Sequence, residues 1–198
     1  MPEVPEWPAH GSGKSLPTPL AALFAAVAFG YLGNGLLGTA TGPRASLEEM
    51  PTSLAGIAMS AFFVGHPAGS VLAPRLIQGN GHIRSFAALA SVASLLFPIL
   101  VSVPVWIAFR RILGACFAGI LIVVESWMNA GAARQSRRRL PALYGMTVDA
   151  GRGGGQLLLM AAPAKGFVLF ALSSILFSLA LVPVTLSPAG VPGWCWPN

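Results

Sequence analysis

From residue 19 to residue 187 the chain reads as six apolar runs, about 19–42, 54–77, 84–104, 105–128, 141–162 and 166–187. Each is near the ~20 residues that carry a helix across ~30 Å of hydrocarbon. No other feature restricts the fold so strongly. In lipid the backbone must satisfy its own hydrogen bonds, which leaves helices as the natural spanning state. Twelve basic and six acidic side chains in 198 residues cannot clothe a soluble surface, since soluble domains carry about 25% charged residues. The expectation is an all-α polytopic membrane protein with six transmembrane helices, the bilayer acting as solvent.

The breaks between runs carry stop signals: "GPRASLEEMP" (42–51), "QGNGHIR" (78–84), "VSVP" (101–104), "NAGAARQSRRRLP" (129–141) and "APAKG" (162–166). Pro98 and Pro104 are expected to separate the nearly continuous third and fourth runs. Residues 1–18 are polar and rich in Pro and Gly, and the start is acidic, with Glu3 and Glu6. A signal peptide would begin basic, so 1–18 is read as a flexible tail and the first run as retained. Residues 188–198 form a short C-terminal tail.

Basic residues set the expected orientation. With the N-terminus inside, Lys14, Arg75, Arg84, Arg134, Arg137, Arg138 and Arg139 face the cytoplasm, and Arg44, Arg110, Arg111 and Lys165 lie on the outer side. Both termini are then cytoplasmic. The net charge of +6 does not imply nucleic-acid binding, because the bases are scattered and no aromatic-plus-basic surface accompanies them. Cys116 and Cys195 form no framework, and three isolated histidines form no ligand set, so no metal and no cofactor is expected. His66 and Ser70 in "GHPAGS" lack the context of an intramembrane hydrolase, and the chain is not expected to be an enzyme.

Charged groups within apolar runs are functional candidates by default. At about 100° per residue, Arg110, Gly114 and Glu125 fall within ~60° on one face of the fourth run, a face suited to the bundle interior or a wet cavity. Glu125 lies near the cytoplasmic rim, within reach of Arg75 or Arg84. These three are candidates for a cytoplasmic gate or for a structural ion pair there. Asp149 and Arg152, three apart, are helix neighbours that could neutralise each other or line a polar pathway. Tyr31, Asn34 and Gln156 could add uncharged hydrogen-bonding groups to the same cavity. Gly30, Gly33, Gly35, Gly38 and Gly42 on the first run, and Gly151, Gly153, Gly154 and Gly155 on the fifth, suit close helix contact.

Six spans, a basic loop after the second, and "RRILGACFAG" opening the fourth resemble the N-terminal half of a major facilitator superfamily (MFS) transporter. Arg110 and Gly114 fit that family's fourth-helix motif, with Leu113 in place of its usual glutamine. "LGNGLLGT", "APRLIQGNGHIRSFA", "ESWMN" and "GGQLLL" are similar to one branch of bacterial permeases. The likeness covers about residues 20–187. Gln78 and Gly79 depart from the acidic and basic positions of the loop motif, and His66 and Pro67 are expected to interrupt the second helix.

The resemblance implies an inner-membrane protein moving a small solute by alternating access, with Arg110 coupling protons to the conformational change. It also implies two six-helix halves with the substrate between them. One half alone is expected to need self-association, as a homodimer, or a complementary six-helix half. The rival expectation is a truncated membrane protein or assembly partner that transports nothing.

Overall fold

The computed structural model describes residues 18–76, 82–131 and 139–186. Among these the chain is all-helical. The helices are α1 (Thr18–Leu47), α2 (Thr52–Leu76), α3 (His82–Leu96), α4 (Val103–Gly131), α5 (Arg139–Leu157), α6 (Val168–Leu179) and α7 (Leu181–Leu186). A short 3-10 turn, Leu158–Ala161, extends α5.

Three helical stretches are long and apolar enough to cross a membrane: Ala21–Leu47, Thr52–Val71 and Val103–Ile122. Two shorter apolar helices cover Phe86–Leu96 and Val168–Pro183. At 1.5 Å per residue α1 and α4 reach about 45 Å, whereas the 15 residues of α3 reach only about 23 Å.

Several boundaries differ from the sequence expectation, each for a local reason. The first helix does not stop at Gly42 but runs on to Leu47, through Pro43. It ends where Glu49 takes a left-handed φ of 53°. There the Glu49 N–H donates to Ser46 O (3.2 Å) and the Met50 N–H to Ala45 O (3.0 Å). These two bonds form a Schellman stop. The third helix ends at Leu96, earlier than the expected 104, because Pro98 has no N–H to continue the ladder. Pro104 lies instead in the first turn of α4, where proline forfeits nothing. Trp106 closes this corner, its indole N–H donating to Phe97 O (3.1 Å) while its ring stacks on Phe97 at 4.5 Å. Pro183 accounts for the break between α6 and α7, since Leu179 O is left without its helical donor. Conversely, His66 and Pro67 do not interrupt α2, which is continuous through both.

The helices pair unevenly. The closest pairs are α2 with α4 and α1 with α5; α1 also packs on α6, and α3 bridges α4 and α6, whereas α1 and α2 touch little. Small residues make the two close pairs. The inward face of α2 is Ala58, Ala61, Gly65 and Gly69, all buried, while its Ile57 and Val64 are 55% and 59% exposed. That inverts the pattern of a helix in water and suits one whose large side chains meet lipid. A methyl group at Gly65 would strike Arg111 O, and one at Gly114 would strike Phe62 O. Between α1 and α5, a methyl at Gly35 would lie 2.5 Å from Arg152 O, and one at Gly155 would strike Leu32 O. Gly30, Gly38 and Gly42, expected at helix contacts, have no such neighbour within 4 Å.

Polar ties join the remaining neighbours. Ser91 Oγ on α3 lies 2.6 Å from Ser174 Oγ and 3.1 Å from Ser178 Oγ on α6. At the C-terminal end of α1, Arg44 pairs with Glu48 at 2.7 Å and donates to Lys165 O in the α5–α6 connection. The C-terminus of α1 and the α5–α6 connection therefore lie at the same end of the bundle.

Candidate functional site

An open cavity of about 510 Å³ lies among α1, α2, α4 and α5. Asn34, Gly35, Gly38 and Thr39 form its α1 wall, and Met59, Ser60, Phe62 and Phe63 its α2 wall. Arg110 enters from α4, and Arg152 and Gln156 from α5. Its position follows from the packing: α1 is drawn to α5 and α2 to α4, so the loosely joined α1–α2 seam stays open.

Arg110 is 4% exposed, and no carboxylate pairs with it among the described residues. Its Nη2 donates to Leu37 O (3.3 Å) and to Thr41 Oγ1. The Thr41 hydroxyl donates in turn to Leu37 O (2.6 Å), so it presents a lone pair to the guanidinium. The Phe97 ring lies 5.6 Å below the Arg110 guanidinium. A buried guanidinium is costly without compensation. Here compensation comes from one helix carbonyl, one hydroxyl and an aromatic face. It is incomplete, because Nε has no partner.

Arg152 is exposed on α5, and its guanidinium sits 5.0 Å over the Tyr31 ring. The expected neutral pair with Asp149 does not form; Arg44–Glu48 is the one ion pair among the described residues. The close approach of α5 to α1 is the reason. Gly151 lies so near α1 that a methyl there would be 3.0 Å from Tyr31 Cβ, which brings the ring beneath Arg152. Asp149 is exposed and does not line the cavity.

Of the six sequence-derived pathway candidates, Asn34, Arg110, Arg152 and Gln156 line one cavity, and Tyr31 and Asp149 do not. Tyr31 is buried, 3.4 Å from Tyr144 by its hydroxyl and edge-on to Phe117. It borders a separate apolar space of about 50 Å³ with Leu23, Val27 and Phe177. The gate candidates Arg75, Arg84 and Glu125 fall on helical backbone, but their side chains lie outside the described residues.

Sequence reasoning missed Thr41 and Phe97, which hold Arg110, and the whole α2 wall. The α2 wall carried no charge, and its one polar side chain, Ser60, donates to its own helix at Gly56 O. Thr41 lies seven residues after Asn34, about two helical turns along the same side of α1, and that spacing was its only mark.

No protein-family model matches the chain, and no solved structure matches it. Curated relatives do. An uncharacterised MFS-type transporter of an Enterobacter species is 31% identical over 147 residues, covering 66% of this chain and 37% of the relative. One from Escherichia fergusonii is 34% identical over 114 residues, covering 56% of this chain and 30% of the relative. One from Yersinia pestis is 32% identical over 117 residues, covering 58% and 31%. The chain is thus similar to bacterial MFS-type permeases over about 60% of its length, and it spans about a third of the length of the curated relatives it matches.

Proposed function

We propose that this chain forms a six-helix, multi-pass bundle in a bacterial inner membrane and supplies one wall of a pathway that moves a small solute by alternating access. A second body, either another copy of the chain or a complementary six-helix half, provides the facing wall. The observation that carries the reading is the open cavity bearing Arg110, in a chain whose curated relatives are named MFS-type transporters. An intramembrane arginine facing a cavity marks a solute or proton path more often than a packing device. Arg110 is the residue proposed to couple occupancy of the cavity to helix movement. Both termini are proposed to lie in the cytoplasm, and Glu125 with Arg75 or Arg84 to latch that side.

The test is flux in proteoliposomes made with the intact chain, over a panel of neutral, anionic and cationic solutes, beside its oligomeric state in detergent. Arg110→Ala should abolish flux while membrane abundance stays unchanged. A folded, inserted chain with no flux above protein-free liposomes would overturn the homodimer form of the reading and leave a chain that needs a complementary half or assembles without transporting.

A further inference from the structure

The cavity has an uneven chemistry that narrows its occupant. Two guanidinium groups, Arg110 and Arg152, line it, and no acidic side chain does so among the described residues. Neither arginine has a carboxylate partner among the described residues. Among the described residues Nη2 of Arg110 has two hydrogen-bond acceptors, and its buried Nε has none. Arg110 is thus a cation more than nine-tenths buried, with donor capacity left over, at the edge of a space large enough for a small molecule. Asn34 and Gln156 add neutral polar groups beside it. The α2 wall is different: Met59, Phe62 and Phe63 offer thioether and ring surface, and the Ser60 hydroxyl beside them is turned to Gly56 O of its own helix (2.8 Å).

We infer that this cavity selects a small amphipathic organic anion, its compact anionic head met by Arg110 and Arg152 and its apolar body laid against Met59, Phe62 and Phe63. The inference rests on the reading of the cavity as a solute path. The electrostatic logic is direct. Two cations lining one cavity repel a third and attract an anion. A guanidinium fork suits planar two-oxygen heads such as carboxylates, and also phosphate oxygens. An inorganic ion would leave the aromatic wall wet, whereas a ring or short alkyl body would cover it.

Benzoate is a suitable probe, because benzamide has the same shape without the charge. The intact chain in phosphatidylcholine nanodiscs is titrated with labelled benzoate and challenged with benzamide, inorganic phosphate and benzylamine. Saturable benzoate binding is expected, with benzamide weaker by about tenfold or more. Arg152→Gln should weaken benzoate by about tenfold, and Arg152→Lys should recover part of the loss. Because Arg152 is exposed, these variants test charge without emptying a core site.

Equal competition by benzamide, unchanged binding by Arg152→Gln, or no saturable binding by a chain that still shows a thermal transition would each overturn the inference. Phosphate displacing benzoate as well as benzoate itself would remove the apolar half of the assignment. Loss of benzoate binding in discs containing phosphatidylglycerol would assign the site to a lipid headgroup and overturn a solute role. Flux of a neutral solute without anion binding would sink this inference alone and leave the transport reading standing.

Discussion

Two glycines one turn apart on α1 offer a test of the packing on which the cavity depends. Gly35 and Gly38 both line it, and both lie in helix interior. Alanine at either position gains about 1 kcal/mol of intrinsic helix propensity, so that contribution cancels when the two variants are compared. Their surroundings differ. A methyl at Gly38 meets nothing within 4 Å, whereas at Gly35 it lies 2.5 Å from Arg152 O and 2.9 Å from Arg152 Cα. Ordinary contact begins near 3.4 Å, so α1 and α5 must part by about 1 Å, and the obstructing atoms are backbone with no rotamer to escape into. Overpacking of this kind costs roughly 1–3 kcal/mol, and immovable backbone places Gly35→Ala in the upper part of that range. Gly38→Ala should therefore be the more stable variant by about 2–3 kcal/mol, or about 4–12 °C for a chain of this length. Thermal unfolding of both variants in one detergent, followed by tryptophan fluorescence, measures the gap; Trp106 is fully buried and stacked, so its emission reports the loss of packing. If Gly35→Ala melts at or above Gly38→Ala, the α1–α5 contact is not as close as described, and the account of why the α1–α2 seam stays open fails with it.

Two further outcomes follow from polar and backbone details. Ser91→Ala removes the hydroxyl that bridges α3 to Ser174 and Ser178. It should lower stability by about 1 kcal/mol, the usual worth of an interhelical hydrogen bond in a bilayer; a thermal midpoint equal to wild type would show that α3 and α6 are held by packing alone. Glu49→Gly relieves a left-handed backbone that costs a non-glycine residue ~1–2 kcal/mol, against the extra chain entropy glycine loses. It should raise stability by about 0.5–1 kcal/mol, and a lower midpoint would refute the Schellman reading of the α1 terminus.

The sequence disclosed helices, their order, and four residues of one cavity, because hydropathy and intramembrane charge are local signals. It disclosed less wherever the outcome depended on which faces meet. The small-residue face of α2, Ala58, Ala61, Gly65 and Gly69, is spaced as plainly as the glycines of α1. Yet the α1 glycines are the denser cluster, and three of them prove to face open space. In lipid, hydrophobicity does not mark the buried face, so periodicity alone cannot say which stripe is inside. Asp149 and Arg152 show the same limit. Their spacing permits a pair, but the approach of Gly151 to Tyr31 offers Arg152 an aromatic face on another helix. Helix ends were misjudged where a proline lacked the N–H for the next turn, at Pro98 and Pro183, and where one did not stop the helix, at Pro43 and Pro67.

The position of Arg110 links the two themes of packing and charge. The bundle contains two close pairs, α1–α5 and α2–α4, with little contact directly between α1 and α2. Arg110 belongs to one pair, and its hydrogen-bond acceptors among the described residues, Leu37 O and Thr41 Oγ1, belong to the other. It is therefore a polar strut across this loosely joined seam, placed at the rim of the cavity that the seam creates. On the proposed reading, an anion entering the cavity competes with Thr41 for the same guanidinium. Each hydrogen bond the anion takes weakens the tie between the pairs by an amount comparable to the bond lost, about 1.5–3 kcal/mol for a charged donor. Occupancy and seam width are then coupled through a single side chain, which is what a rocking bundle requires. Spin labels on α1 and α4, with and without benzoate, should report a change in separation in the wild-type chain and none in Thr41→Val, where the strut is already weakened. Identical separations in all four samples would make Arg110 a fixed structural cation and remove it from any role in movement.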